Sequence, residues 1–294
     1  MVGKVHRVLV TGGTGSIGGA VIEVLKARGH SVTCLIRSSA SEQQLQRAGY
    51  VTLRGDITEP ERWLGAVTEF DAVIPLAVTW ADDMASVDAR LTHLLIEALA
   101  TPAAEKVLIY TSGCWVYGQT GDLVATENTP HCTSSEFAWG SELSKSVLRN
   151  KYIKGMVILP AMVYERDGGV LDTMISDALE RKRIRVVGST RTRWPMVHRT
   201  DLALLYALML ERGQQGSIYN GATTPGVRVA DIAGALSDRY QLQHPPKVIS
   251  VQEAVATIGS WAGGYSIDQQ ISGEKAMREL SWAPQYTDVL ADIT

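Results

Sequence analysis

The residues Thr-Gly-Gly-Thr-Gly-Ser-Ile-Gly, numbered 11–18, decide the fold of this chain. The apolar run Val5–Val10 before them predicts a buried strand, and Ala20–Arg28 after them has the spacing of a helix that ends at Gly29. A strand, a glycine-rich turn and a helix in this order form the context that a dinucleotide-binding fingerprint requires. The sequence therefore predicts that a dinucleotide binds at the amino terminus of this helix.

Each small residue of this turn has a separate predicted role in holding the cofactor. Gly12 permits the tight turn, Gly15 lets backbone N–H groups approach a pyrophosphate, and Gly18 lets the helix pack closely on the strand. Ser16 and Ile17 lie in the first helical turn, which offers unpaired N–H groups and a partial positive charge. We therefore expect all five residues to contact the cofactor.

Strand-like and helix-like segments alternate through the first half of the chain, which predicts a parallel sheet with helices on both faces. The predicted strands are Val5–Val10, Ser31–Ile36, Tyr50–Arg54, Ala72–Leu76, Lys106–Tyr110 and Gly155–Leu159, and the clearest helices are Gly18–Arg28, Ala85–Ala100 and Ser141–Asn150. The predicted fold class is α/β, a Rossmann-type doubly wound parallel sheet with a smaller C-terminal substrate-binding region. We assign residues 1–163 and 197–220 to the nucleotide-binding domain, and residues 164–196 and 221–294 to the substrate-binding region.

Length, composition and charge restrict the class of protein. The chain has 294 residues, of which 45% are hydrophobic and 20% charged, as in an ordinary globular enzyme. A net charge of −3 predicts no nucleic-acid partner, and no apolar stretch reaches the length of a membrane span. Cys34, Cys114 and Cys132 lack metal-ligand spacing, so we expect no metal site and a reducing compartment. The first strand begins almost immediately and leaves no signal peptide, so the predicted location is cytoplasmic.

Arg37, which follows the second predicted strand, indicates which nicotinamide cofactor the chain prefers. An acidic residue there favours NAD, whereas a cation beside Ser38 suits the 2′-phosphate of NADP. We therefore predict NADP(H) as the cofactor. After the third strand, Asp56 is placed to accept a hydrogen bond from the adenine amino group, and Ile57 to lie against the ring.

Five motifs in sequence order resemble the extended short-chain dehydrogenase/reductases, the group that contains the nucleotide-sugar epimerases and dehydratases. The motifs are Thr11–Gly18, Gly55–Ile57, Leu76-Ala77, Thr111–Gly118, and Trp194–His198 leading to Asp201–Ala203. Lys275–Pro284 also resembles the usual ending of that family, so the resemblance covers nearly the whole chain. It implies that Leu76, Ala77 and Pro160 lie beside the cofactor, and it allows a homodimer.

The proton-transfer residues of that family are missing here. In the family, a tyrosine four residues before a lysine acts as general acid and base, and the lysine binds the nicotinamide ribose. Lys145 matches the lysine, but Ser141 occupies the tyrosine position and Gly113 the position of a further hydroxyl residue. Ser112 is adjacent, yet a one-residue slip in a strand turns a side chain to the opposite face. The resemblance therefore implies an atypical active site.

Several other side chains are candidates for the missing proton donor. Asp82 lies in the loop after the fourth strand, near where nicotinamide and substrate meet. Tyr117 belongs to a family motif in which it more often packs structurally, and His131 titrates in the useful range. The candidate catalytic residues are Lys145, Ser141, Ser112, Tyr117 and Asp82.

Three functions remain open at this point. The first is an NADP(H)-dependent oxidoreductase or epimerase-like enzyme that acts on a small carbonyl or alcohol with a non-standard proton donor. The second is a redox-silent isomerase, lyase or cyclase that keeps NADP bound, since Ser141 and Gly113 leave space for a bulky substrate. The third is an NADP(H)-sensing binding protein. The expected partner in the first two cases is a small-molecule substrate.

Overall fold

A seven-stranded parallel sheet forms the centre of the molecule. The structure, a computed structural model, describes residues 4–101, 105–132 and 135–294. Numbered in chain order, the strands of this sheet are β1 Arg7–Thr11, β2 Ser31–Ile36, β3 Val51–Arg54, β4 Ala72–Ile74, β5 Val107–Thr111, β7 Lys154–Pro160 and β12 Ile218–Gly221. They are hydrogen-bonded in the order β12-β7-β5-β4-β1-β2-β3. Because β1 lies inside the sheet, Val8, Leu9 and Val10 are fully buried.

Helices cover both faces of this sheet. They are α1 Ser16–Ala27, α2 Ser39–Arg47, α3 Met84–Leu99, α4 Ala138–Arg149 and α6 Arg199–Arg212. Helix α1 packs against α6, and α3 packs against α4, which gives one helical layer on each face. The predicted α/β class and the Rossmann-type doubly wound sheet are therefore confirmed.

Strand β12 is the part of the central sheet that the sequence pattern did not predict. All six predicted strands are present, and their ends agree within two residues with those of the structure. Strand β12 pairs in parallel with β7, with Ile218 opposite Val157. Its sequence Ile-Tyr-Asn-Gly has no clear alternation of apolar and polar residues. The polar Asn220 is fully buried, so residue polarity does not mark which positions face outward.

Helix α6 buries the apolar run Leu202–Leu210 inside the fold. All but one of these nine residues are buried in the structure. Within the described ranges, no helix is both long enough and apolar enough to cross a membrane.

The second half of the chain adds smaller elements around a four-stranded sheet. The strands of that sheet are β8 Met162–Glu165, β9 Gly168–Gly169, β11 Arg193–His198 and β13 Thr224–Arg228, in the order β13-β11-β8-β9. Two small sheets pair β10 Arg185–Val187 with β14 Lys247–Ile249, and β6 Val124–Ala125 with β15 Gln270–Ile271. The remaining helices are α5 Asp172–Ser176, α7 Val229–Arg239, α8 Val251–Thr257, α9 Glu274–Leu280 and α10 Val289–Ile293. Short 3₁₀ helices span Pro60–Arg62, Leu64–Glu69, Cys114–Tyr117, Ser135–Phe137 and Ser260–Ser266, and a π-helical turn spans Asp177–Arg181.

The second sheet crosses two of the proposed domain boundaries. Strand β8 begins at Met162, before the proposed boundary at 163–164, and β11 ends at His198, after the boundary at 196–197.

Asp201, in the first turn of α6, joins the C-terminal segment to this helix. Its buried carboxylate accepts hydrogen bonds from the backbone N–H groups of Gln285 and Tyr286, both at 2.9 Å. The indole N–H of Trp282 donates to the backbone carbonyl of Asp201 at 2.8 Å. The ring of Tyr286 stacks on His198, with centroids 3.7 Å apart. The segment that resembles the family ending is thus anchored at the start of α6.

Candidate functional site

The glycine turn between β1 and α1 lies directly against the end of β4. Gly12 has φ +70°, and a Cβ there would stand 2.8 Å from the backbone atoms of Leu76 and Ala77. The hydroxyl of Thr11 accepts hydrogen bonds from the N–H groups of Leu76 and Ala77, both at 2.9 Å. The predicted cofactor residues Gly12, Leu76 and Ala77 are therefore brought to one edge of the sheet.

The amino terminus of α1 is open toward a ligand. The N-cap residue is Gly15, and no side chain of the described residues caps the helix. A Cβ on Gly18 would lie 2.1 Å from the carbonyl oxygen of Gly12, so only glycine permits this close packing of helix on turn. The first turn consequently presents backbone N–H groups and the positive end of the helix dipole to an anion.

An ion pair lies beside the first turn of α1. The hydroxyl of Ser16 donates to Glu165 at 3.0 Å, and Arg199 pairs with the same carboxylate at 3.1 Å. Sequence reasoning missed Glu165 and Arg199, because they follow β8 and β11 rather than the glycine motif. A pyrophosphate at α1 would lie near both a fixed carboxylate and a fixed guanidinium.

Arg37 and a second cation lie near the predicted adenosine end of the site. The Arg37 side chain is 78% exposed and stands 3.7 Å from the carboxylate of Asp56. Arg54, at the end of β3, donates to the hydroxyl of Ser39 at 3.3 Å. The hydroxyl of Ser38 caps α2 by accepting from the Ser41 N–H at 3.1 Å. The sequence analysis did not name Arg54 as a second cation at this end of the site. The signal for it is a cation at the end of a strand beside the predicted cofactor edge.

Asp56 is held as a carboxylate by its neighbours. Partial burial by itself raises the pKa of Asp56, but hydrogen bonds from the Thr58 N–H and hydroxyl, at 2.9 and 2.8 Å, and the charge of Arg37 bring it below the ordinary value. A charged acceptor suits the predicted contact with the adenine amino group.

Ser141 and Lys145 lie one turn apart on α4, where the resemblance implies the reaction centre. Ser141 is 6% exposed, and its hydroxyl oxygen lies 2.8 Å from Nδ1 of His131. The ammonium of Lys145 pairs with Glu142 at 2.7 Å and is half-exposed. The structure therefore joins Ser141 to His131, a pairing that the sequence did not predict.

Gly113 and Ser112 face different surroundings at the end of β5. A Cβ added to Gly113 would have no heavy atom of the described residues within 4 Å, so this position opens onto free space. The hydroxyl of Ser112 is buried without a hydrogen-bond partner and lies 2.8 Å from where a Cβ on Gly140 would stand. Ser112 therefore faces α4, as the alternation of strand side chains predicts, and this position does not favour its role as a catalytic residue.

The positions of Tyr117 and Asp82 do not favour either side chain as the proton donor for a substrate at Ser141. The Tyr117 hydroxyl is buried and donates to Asn220 at 2.8 Å, and burial raises the pKa of this phenol. Asp82 is exposed in the turn before α3. Pro160 ends β7 beside Gly221 of β12, at the carboxyl edge of the sheet. The structure brings Ser141 and Lys145 onto one helix but does not bring Asp82 into contact with them.

A chain of aromatic rings leads from the loop after β4 into the C-terminal part of the molecule. Trp80 is 60% exposed, has φ +48°, and packs on Trp261 with centroids 5.1 Å apart. Tyr265 lies 5.4 Å from Trp261 and 6.1 Å from Trp115, which follows Gly113 by two positions. These contacts join the loop after β4 to the segment that contains Trp261 and Tyr265.

Comparison with known proteins identifies what the chain is similar to. A sequence profile described as the NAD dependent epimerase/dehydratase family matches residues 8–222. An uncharacterised protein of Schizosaccharomyces pombe is 27% identical over 293 residues, with 98% of each chain covered. Two crystal structures share the fold. The Thermus thermophilus UDP-glucose 4-epimerase complex with NAD has a TM-score of 0.79, 22% identity and coverage of 98% and 97%. Human epimerase family protein SDR39U1 with NADPH has a TM-score of 0.77, 20% identity and the same coverage of 98% and 97%.

Proposed function

Because the chain belongs to the NAD dependent epimerase/dehydratase family, we propose that it is an NADP(H)-dependent oxidoreductase or epimerase-like enzyme with a non-standard proton donor. Its substrate is a small carbonyl or alcohol. The observation that carries this proposal is the open, uncapped amino terminus of α1, which lies on the same sheet edge as the free space at Gly113. A pyrophosphate and a reacting carbon both have room at that edge.

The residues of this edge fit a nicotinamide dinucleotide. The Gly12 turn and the first N–H groups of α1 hold the pyrophosphate, and Asp56 accepts from the adenine amino group. Lys145 leaves Glu142 to bind the nicotinamide ribose, which its half-exposed position on α4 permits. When bound, the nicotinamide supplies or accepts a hydride. The chain itself orients the substrate and excludes water with the aromatic surface of Trp80 and Trp115.

Transfer of a deuterium label tests the proposed hydride chemistry. The protein is incubated with NADPH labelled at C4 in either stereochemical position, and with benzaldehyde and dihydroxyacetone as an aromatic and a polar carbonyl probe. We expect deuterium in one of the product alcohols with only one of the two labelled cofactors, because the site presents a single face of the nicotinamide ring to the substrate. A product formed without label at a constant NADPH to NADP⁺ ratio would instead support the redox-silent isomerase, lyase or cyclase, for which the free space at Gly113 is the motivating observation. NADPH binding without any turnover would contradict the proposal that the protein is an enzyme.

Replacing Arg37 with glutamine tests the preference for NADP(H). We expect the Kd for NADPH to rise roughly tenfold to a hundredfold, because a charge-assisted contact contributes about 1.5–3 kcal/mol. The Kd for NADH is expected to stay constant, since it has no 2′-phosphate. Isothermal titration calorimetry with both cofactors measures the two values.

The exposed Arg62 provides the matched control for this substitution. It pairs with Glu59 in a 3₁₀ turn outside the motifs that form the predicted cofactor edge, so Arg62→Gln is expected to change neither Kd. Equal weakening of NADH and NADPH in Arg37→Gln would contradict recognition of a 2′-phosphate.

A further inference from the structure

We propose that Ser141 and His131 together form the proton relay that stands in for the family's missing tyrosine. The inference rests on the proposed hydride chemistry and extends it by naming the groups that move the proton. Ser141 is the residue that touches the substrate oxygen. His131 acts through Ser141. It positions the Ser141 hydroxyl and stores the proton.

The geometry of this pair is that of a serine with its base. The Ser141 hydroxyl oxygen lies 2.8 Å from Nδ1 of His131, which is hydrogen-bonding distance. Ser141 lies on α4, whereas His131 lies in the loop after β6, where the neighbouring Cys132 N–H donates to the carbonyl of Val116 at 3.1 Å. Two separate elements are thus fixed so that the two side chains meet.

Helix α4, which carries Ser141, packs on β5 and on the 3₁₀ helix Cys114–Tyr117 that follows Gly113. Gly140 approaches Ser112 so closely that a Cβ on Gly140 would stand 2.8 Å from the Ser112 hydroxyl. The next residue on each element is Ser141 on α4 and Gly113 after β5. In the proposed relay the substrate oxygen lies at the Ser141 hydroxyl, the position that the family's tyrosine occupies, and the reacting carbon lies on the side of Gly113.

A relay needs a group that titrates near neutral pH, and serine alone is far too weak an acid to supply one. Burial, followed by the positive charge of Lys145, lowers the pKa of His131 below its ordinary value of 6.5. Of the titratable groups on the elements packed around it, Tyr117 presents its ring edge to the imidazole at a centroid distance of 5.3 Å. The Lys145 ammonium pairs with Glu142. His131 is therefore neutral at pH 7 and able to accept a proton.

The proton balance follows from this state. In alcohol oxidation a hydride leaves the carbon for the nicotinamide of NADP⁺, and the carbon–oxygen bond becomes a carbonyl. The alcohol proton passes to the Ser141 oxygen while the Ser141 proton passes to Nδ1 of His131. The resulting imidazolium returns its proton to solvent, because His131 is only half-buried. Carbonyl reduction runs through the same steps in reverse.

The pH dependence of hydride transfer in His131→Gln tests the relay. Glutamine can still hydrogen-bond to Ser141 but cannot store a proton. Single-turnover oxidation by NADP⁺ of benzyl alcohol or glycerol, the alcohols of the two carbonyl probes, is followed between pH 5 and 9. In the wild type the rate is expected to fall as the pH drops below 6.5, because His131 becomes protonated. In His131→Gln this titration disappears, and the rate at pH 7.5 falls roughly a hundredfold or more.

Three controls distinguish a relay from a structural role. Ser141→Ala is expected to lose a similar factor, and the double variant no more than either single one, because the two residues act as a unit. The Kd for NADPH and the thermal midpoint should stay near the wild-type values in His131→Gln. His244→Gln removes an exposed histidine and should leave rate and pH profile unchanged.

The outcomes separate this inference from the proposed function. A wild-type protein that transfers no hydride to or from either probe pair overturns the proposed function and the relay with it. A wild-type protein that transfers hydride, with a His131→Gln variant that keeps its rate and its pH profile, overturns the relay alone.

Discussion

A Gly18→Ala variant is expected to lose roughly tenfold to a hundredfold in affinity for NADPH, because the added methyl group has no room in the glycine turn. The added Cβ would lie 2.1 Å from the carbonyl oxygen of Gly12 and 2.7 Å from its carbon. Both are backbone atoms of the glycine turn and cannot rotate away, so α1 must move off β1. Overpacking of this kind costs about 1–3 kcal/mol or more, and each ~1.4 kcal/mol is a factor of ten in affinity.

Gly19→Ala is the matched control for this result. A Cβ on Gly19 would have its nearest heavy atom, the carbonyl oxygen of Gly13, at 3.7 Å, which is ordinary van der Waals contact. The same methyl group one position further along α1 is therefore expected to leave NADPH binding intact and to stabilise the helix slightly. Calorimetric titration gives both affinities, and circular dichroism shows that each variant is folded. Equal NADPH affinity in the two variants would refute the role given to Gly18.

Asp201→Ala is expected to lower the free energy of unfolding by about 1.5–3 kcal/mol, because the backbone N–H groups of Gln285 and Tyr286 lose a charged, buried acceptor. The carboxylate of Asp201 accepts from the N–H groups of Gln285 and Tyr286, both at 2.9 Å, and the residue is 2% exposed. Urea denaturation followed by fluorescence measures the loss, and a reduced m-value would show that the C-terminal segment detaches first.

Two further substitutions define the cause of this destabilisation. Asp201→Asn keeps one acceptor oxygen but turns an NH₂ group toward the second N–H, so its stability is expected to fall between the wild type and Asp201→Ala. Asp238→Ala removes an exposed carboxylate near the end of α7 and should change little. A wild-type stability in Asp201→Ala would contradict the anchoring of residues 285 and 286 at α6.

Short-range patterns predicted most of the fold. The glycine turn, the apolar strands and the helix spacing each depend on residues within a few positions of one another, and the same segments occur in the structure. The family resemblance read from the motifs agrees with the profile that matches residues 8–222. Strand β12 was missed because its inward-facing positions include the polar Asn220, which hides the pattern.

The candidate site was predicted in part. The glycine turn, Leu76 and Ala77 do meet at one edge, because carboxyl ends of parallel strands share that edge. Ser112 and Tyr117 carry hydroxyl groups of the right type, yet the structure turns one toward α4 and pairs the other with Asn220. Residue type alone does not reveal the direction in which a side chain points.

By itself the sequence determined that β1, the glycine turn and α1 form one strand–turn–helix unit, since steric demands on glycine and hydrophobic periodicity are local properties. Only the tertiary structure decided which polar groups meet. Ser16 bonds to Glu165 across 149 positions, and Tyr117 to Asn220 across 103. Even the contact of His131 with Ser141 depends on how a loop folds against α4. Such contacts follow from the packing of whole elements, which brings together residues that no spacing along the chain connects.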